Sequence, residues 1–97
     1  MPQQLLVTVF LPSLATGKEL AQNLMENVSE KIGEYIHLIP DAVTYYRNPS
    51  KSSLEVDQEV SLMFRIKDQA FKNEILTYIK TENPLDTPEI LVTPLVE

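Results

Sequence analysis

The sequence contains no cysteine, which excludes disulfides, thiolate catalysis and cysteine-based zinc or iron–sulfur sites, and fits a reducing compartment. Its single histidine, His37, excludes a multi-histidine metal site within one subunit. Basic residues are few: eight Lys and Arg against fourteen Asp and Glu give a formal net charge of −6. The eight are scattered. Nucleic acid and anionic membrane both require a basic face, so neither is an expected partner. Long hydrophobic runs are missing too, and no apolar stretch approaches the roughly 20 residues of a membrane span. Met1-Pro2-Gln3-Gln4 places no basic region before its short apolar run, so no secretory leader is expected. These absences together predict a soluble, cytoplasmic protein.

What is present suffices for one domain over residues 1–97, since 43% hydrophobic content supplies a modest core. The chain is organised around Tyr35 to Lys67, two long β-patterned segments folded back near Asn48-Pro49-Ser50. In the second, Leu54, Val56, Val60, Leu62, Phe64 and Ile66 occupy even positions, while Glu55, Asp57, Glu59, Ser61, Arg65 and Lys67 occupy odd ones. A period of two gives one dry face and one wet face. At about 3.3 Å per residue such a strand reaches roughly 45 Å, whereas a compact chain of this length is only about 33 Å across. The hairpin is therefore expected to overhang its own monomer. An overhanging ribbon with an apolar face needs another chain to cover it, which predicts oligomerisation.

Gln4 to Leu11 alternates as a first strand, ended by Pro12. Thr16 and Glu19 have capping-box spacing and predict a helix carrying Leu20, Ala21, Leu24, Met25, Val28 and Ile32 on one stripe. Gly33 is placed to close that helix in the left-handed conformation. Pro40 and Asp41 predict a bend, bulge or edge position in the first hairpin arm. Asp68 is the expected cap of a second helix, with Phe71, Ile75, Tyr78 and Ile79, ending before Asn83-Pro84. Leu85 to Pro88 reads as a tight loop, and Glu89 to Val96 as a short last strand. The order βαββαβ predicts an α+β, ferredoxin-like fold: an antiparallel sheet with two helices on one face and a long β2-β3 hairpin.

Glu55, Asp57 and Glu59 project from one face and offer oxygen ligands to calcium or magnesium. Neighbours at i and i+2 stand about 7 Å apart, so the favoured reading is a solvated acidic face. His37 could ligate a metal or titrate near neutral pH, but a hydrogen-bonded structural role is favoured. Thr16-Gly17-Lys18 lacks the first glycine and the final serine or threonine of a phosphate loop. Tyr45-Tyr46-Arg47 combines aromatic area with a planar cation, as interfaces do, and is read as subunit packing over contact with an anionic ligand. Nothing resembles a nucleophile with its base or a nucleotide fingerprint, so the chain is not read as an enzyme.

Ile39-Pro40, Tyr46-Arg47, Glu59-Val60, Ile66-Lys67 and Asn83-Pro84-Leu85-Asp86-Thr87-Pro88-Glu89-Ile90, at these spacings, resemble the CutA divalent-ion tolerance family. The resemblance runs from Gln4 to Leu95. It implies a homotrimer of ferredoxin-like subunits, similar in architecture to PII-type signalling proteins, with long hairpins building the contacts and clefts between subunits. By the same resemblance Tyr46, Arg47, Lys67, Pro88 and Glu89 are placed at or near an inter-subunit cleft; Tyr46 and Pro88, with Tyr45 from the aromatic cluster, are expected at the subunit interface.

The sequence departs from the family pattern where soft-metal ligands would lie. Gly33-Glu34-Tyr35 stands where members often have Ala-Ala-Cys, and Asn83 and Leu85 replace the His and Tyr of the His-Pro-Tyr motif. Copper(I) favours thiolate, thioether and imidazole ligands, so Glu89 and Asp86 are left as weak metal candidates. The leading expectation is a CutA-like trimer associated with metal tolerance or response, binding a divalent cation weakly if at all. One alternative is a PII-like regulatory module holding a small anionic ligand between subunits through Arg47 and Lys67. The other is a small ferredoxin-like enzyme, which requires His37 to line a cleft.

Overall fold

The computed structural model describes residues 3–48, 50, 53–82 and 89–96, with the backbone alone for Thr44, Tyr46, Arg47, Asn48 and Asp57. In the first strand, β1 (Leu5–Leu11), Leu5, Val7, Val9 and Leu11 are buried and the residues between them half-buried, which is the alternation of a sheet with one face in the core.

Helix α1 (Leu14–Asn27) starts earlier than the sequence signal at Thr16. Ser13, held extended at φ −149° immediately after Pro12, is the N-cap, and its hydroxyl accepts from the Thr16 backbone N–H at 3.2 Å. The Thr16 hydroxyl bonds to that of Ser13 at 2.9 Å instead of capping. The helix also ends before Gly33. Val28 closes it by donating to the Leu24 carbonyl, a 3₁₀ turn (Ser29–Lys31) follows, and Gly33 lies inside β2 without a positive φ. Sheet pairing captures this segment first, since Ile32 pairs with Ile66 and the Lys67 N–H donates to the Lys31 carbonyl. Val28 and Ile32 extend the apolar stripe into that turn and strand, so periodicity alone overran the helix.

The hairpin consists of β2 (Ile32–Asn48) and β3 (Ser53–Ile66), antiparallel throughout, with two register shifts in β2. The first inserts two extra residues between Ile32 and Ile36. The second inserts one between Ile39 and Ala42, as Pro40-Asp41 foretell, and Asp41 takes φ 59°, a left-handed conformation that Asp tolerates better than most side chains. A single extra residue exchanges the faces of a strand. Before it Leu38 opposes Leu62 on the core side; after it Tyr45 opposes Val56 on that same side.

Asp68 caps a 3₁₀ turn (Gln69–Phe71), accepting from the Ala70 N–H at 2.9 Å, and the turn leads directly into α2 (Lys72–Glu82). The last strand, β4 (Glu89–Pro94), pairs with β1. The four strands lie in the order β2-β3-β1-β4. Both helices pack on one face, where Leu20 and Leu24 of α1 and Ile75 and Ile79 of α2 meet Val7, Val9, Leu62 and Phe64 in a single core. Each such side chain contributes roughly 1.5–3 kcal/mol on burial. Tyr78 ties the helices together: its hydroxyl accepts from Asn27 Nδ2 at 2.9 Å and donates to the Asn23 carbonyl at 3.2 Å.

The ribbon outruns this core. β1 pairs with β3 only as far as Leu11 opposite Val60, so among the described residues positions 53–59 of β3 have β2 alone beside them. The longest dimension of the chain is 44 Å, against the roughly 33 Å of a compact chain this size.

Candidate functional site

Among the described residues, no helix or strand packs on the face of the sheet away from the helices. Its centre is apolar, with Leu6 and Phe10 of β1, Met63 of β3, Ile39 of β2 and Leu91 of β4. At the end opposite the overhang the chemistry changes. Arg65, the last odd position of β3, lies opposite Leu6 and next to the first β2 shift, and Lys67 follows it just past the end of the strand. A cavity of about 560 Å³ opens there, lined by Gln4, Leu6, Tyr35, His37, Met63, Arg65 and Lys67, with Glu34 as its single acidic side chain. The two-residue insertion is what brings Tyr35 to this cavity, where it is 70% exposed. Gly33 permits the close approach, because a Cβ there would stand 3.3 Å from Arg65 Cβ.

The residues expected at a site are spread along the ribbon. Lys67 lines the cavity. Glu89 sits opposite Phe10, which lies opposite Ser61, six residues and so about 20 Å along the sheet from Lys67. Tyr46 and Arg47 lie opposite Glu55 and Leu54, about 40 Å from Lys67 by the same spacing. One chain therefore does not bring this set together. Asn83, Leu85, Asp86 and Pro88 fall outside the described residues.

Two side chains depart from expectation. His37 is exposed and lines the cavity, with no hydrogen-bond partner among the described residues, so the hydrogen-bonded role assigned to it is not what the fold provides. Its strand lies at the sheet edge. Glu59, expected on a solvated acidic face, is half-buried; its Oε2 is shielded from solvent and has no hydrogen-bond partner among the described residues. It sits where the second β2 shift crosses the strand, opposite Ala42. No group of three His, Asp or Glu side chains able to hold a metal forms among the described residues. Arg65 and Tyr35 join Lys67 at the cavity, and the only sequence signal for this is the odd-position spacing of Arg65 and Lys67.

The model of the family described as CutA1 divalent ion tolerance protein matches residues 5–97. The chain belongs to this CutA1 family. A divalent-cation tolerance protein CutA of Yersinia pestis (strain Pestoides F) is 40% identical over 82 residues, which cover 84% of this chain and 66% of that protein. The chain thus spans just under two thirds of the length of that CutA relative. Among solved structures, CutA1 from Oryza sativa matches with a TM-score of 0.76 at 21% identity, covering 99% of this chain and 83% of the other. The Cut A1 divalent cation tolerance protein of Thermus thermophilus matches with a TM-score of 0.74 at 24% identity, covering 97% and 85%. At such identities these two structures speak to the fold: an α+β subunit with an antiparallel sheet and two helices.

Proposed function

We propose that this CutA1-family chain is a ferredoxin-like subunit of a cytoplasmic homotrimer that serves divalent-metal tolerance without being an enzyme. The observation that carries the assembly is the ribbon beyond Val60. On its core-side face Val43, Tyr45, Leu54 and Val56 are 51%, 67%, 65% and 51% exposed. The opposite face of the sheet offers a second apolar surface centred on Phe10, Met63, Ile39 and Leu91. Two unlike apolar patches on one chain suit head-to-tail contact, in which the overhang of one subunit covers a different surface of the next and the ring closes. Three is the number that the family resemblance implies. Such a ring also supplies the only route by which the Tyr46-Arg47 end of one ribbon approaches the Lys67 or Glu89 region of another.

The metal part of the reading rests on family membership. Within one chain the described donors do not fit a resident metal, since no three converge; a site would draw on carboxylates such as Glu89 from more than one subunit. Carboxylate oxygens suit hard ions such as calcium or magnesium better than copper(I). Native mass spectrometry with and without Cu(II), Zn(II) and Ca(II) tests both parts. The expected result is a trimer that takes up stoichiometric divalent ion. A trimer with only nonspecific adducts would remove direct metal binding from the account.

A further inference from the structure

We propose that assembly joins two groups left without partners in the single chain: the Tyr45 hydroxyl of one subunit donates a hydrogen bond to the Glu59 carboxylate of the next. The inference rests on the head-to-tail contact proposed above and names one bond within it. Glu59 is the acceptor. Among the described residues its Oε2 is the one solvent-shielded side-chain oxygen or nitrogen with no hydrogen-bond partner. A shielded acceptor left unsatisfied costs free energy, and a residue that breaks this rule is commonly kept for a function outside its own fold. Tyr45 is the donor. It stands opposite Val56 on the core-side face of the overhang, 67% exposed, and its hydroxyl makes no hydrogen bond among the described residues. Its ring suits a contact surface, but once covered its O–H needs an acceptor.

The two groups cannot meet within one chain. Glu59 is an odd position of β3 and points to the face away from the helices, whereas Val56, with Tyr45 across from it, points to the other face. A head-to-tail ring brings these two faces together. Glu59 lies two residues, about 7 Å along the strand, from Ser61, which stands opposite both Phe10 and Ile39. It therefore borders the apolar patch assigned to the neighbour's overhang, and a tyrosine ring laid over Phe10 and Ile39 ends beside it. Glu59 is half-buried, so a rotamer change of the kind that interfaces commonly make turns its carboxylate out of the enclosure to the covering hydroxyl. The short, strong hydroxyl–carboxylate bond that results satisfies both orphans at once.

A double-mutant cycle on the full chain is the test, with subunit association read by sedimentation in urea at the concentration where the parent is half dissociated. Tyr45→Phe and Glu59→Leu should each weaken association about tenfold per subunit contact. The double variant should lose no more than either alone, because a bond already removed cannot be removed again. Glu59→Gln, which keeps the shape and an accepting oxygen, should lose less than Glu59→Leu and should still respond to Tyr45→Phe; if Glu59→Leu does not fold, this second cycle decides by the same rule. Tyr35→Phe, on a second exposed tyrosine, should leave association unchanged. In a parent that is trimeric, losses that simply add, or association untouched by Tyr45→Phe and the Glu59 variants, would overturn the bond while leaving the assembly standing. A parent that sediments as a single chain would overturn the assembly and the bond with it.

Discussion

Gly17 of α1 lies so close to Leu38 of β2 that a Cβ on the glycine would stand 3.0 Å from Leu38 Cδ2 and 3.3 Å from Val60 Cγ1. The glycine sets the distance between helix and sheet at the place where the ribbon leaves the core. Gly17→Ala should change stability by less than about 1 kcal/mol, because the helix-propensity gain of roughly 1 kcal/mol offsets a contact that the end of Leu38 can partly relieve. Gly17→Val adds branches that the buried, stiff Val60 cannot accommodate, and should cost about 2 kcal/mol or more. Urea denaturation of the three proteins checks the order; equal stability of all three would show that the contact is not tight.

The cap at Ser13 makes a second expectation. Its hydroxyl accepts from Thr16 N–H and bonds to the Thr16 hydroxyl. Ser13→Ala should lose about 1 kcal/mol, and Ser13→Asp should recover most of it, since aspartate caps equally well. Thr16→Val, which removes the residue that the sequence signal points to, should cost less than Ser13→Ala. Thermal unfolding of the three variants decides between the two caps.

Lys31 and Glu74 form an exposed ion pair that bridges the turn after α1 to α2. The hydrogen bond to Glu74 and the nearby charges of Glu74 and Glu30 raise the Lys31 ammonium above its ordinary value of 10.5, against a smaller opposing effect of burial. A lysine raised in the folded state contributes stability that is fully present below its unfolded value and is lost as pH rises through the folded value. Glu74→Gln should therefore lower the melting temperature slightly at pH 7 to 9, and its difference from the parent should vanish in the alkaline range above 10.5. Salt should shrink the difference at neutral pH. A difference that grew with alkalinity would contradict this assignment.

The sheet was legible because its strands alternate: Leu5 to Leu11 and, apart from the buried Ser61, Val60 to Ile66 bury every second residue, and a period of two has no helical counterpart. The overhang followed from strand length alone. The helix ends were not legible, because the apolar stripe of α1 continues through Val28 into a turn and through Ile32 into β2, and three-to-four spacing does not show where sheet pairing takes over. Pro40-Asp41 announced one bulge, since both residues restrict the backbone. The larger insertion over 33–35 carries no proline, and its one signal, Gly33, fits a helix cap as well as a bulge, yet it brings Tyr35 to the cavity lined by Arg65 and His37. For the site, the resemblance places Lys67 and Arg47 in a cleft between subunits, and within one chain they lie at opposite ends of the ribbon.

Sedimentation equilibrium of the purified chain tests the central claim, that the ribbon beyond Val60 exists to be covered by another subunit. At about 1 µM protein, the account predicts a species of three times the 11.1 kDa chain mass. It also predicts that Leu54→Lys with Val56→Lys, on a surface with no intrachain cover, yields a folded single chain. A parent that sediments as one chain, or a double variant that remains trimeric, would contradict it.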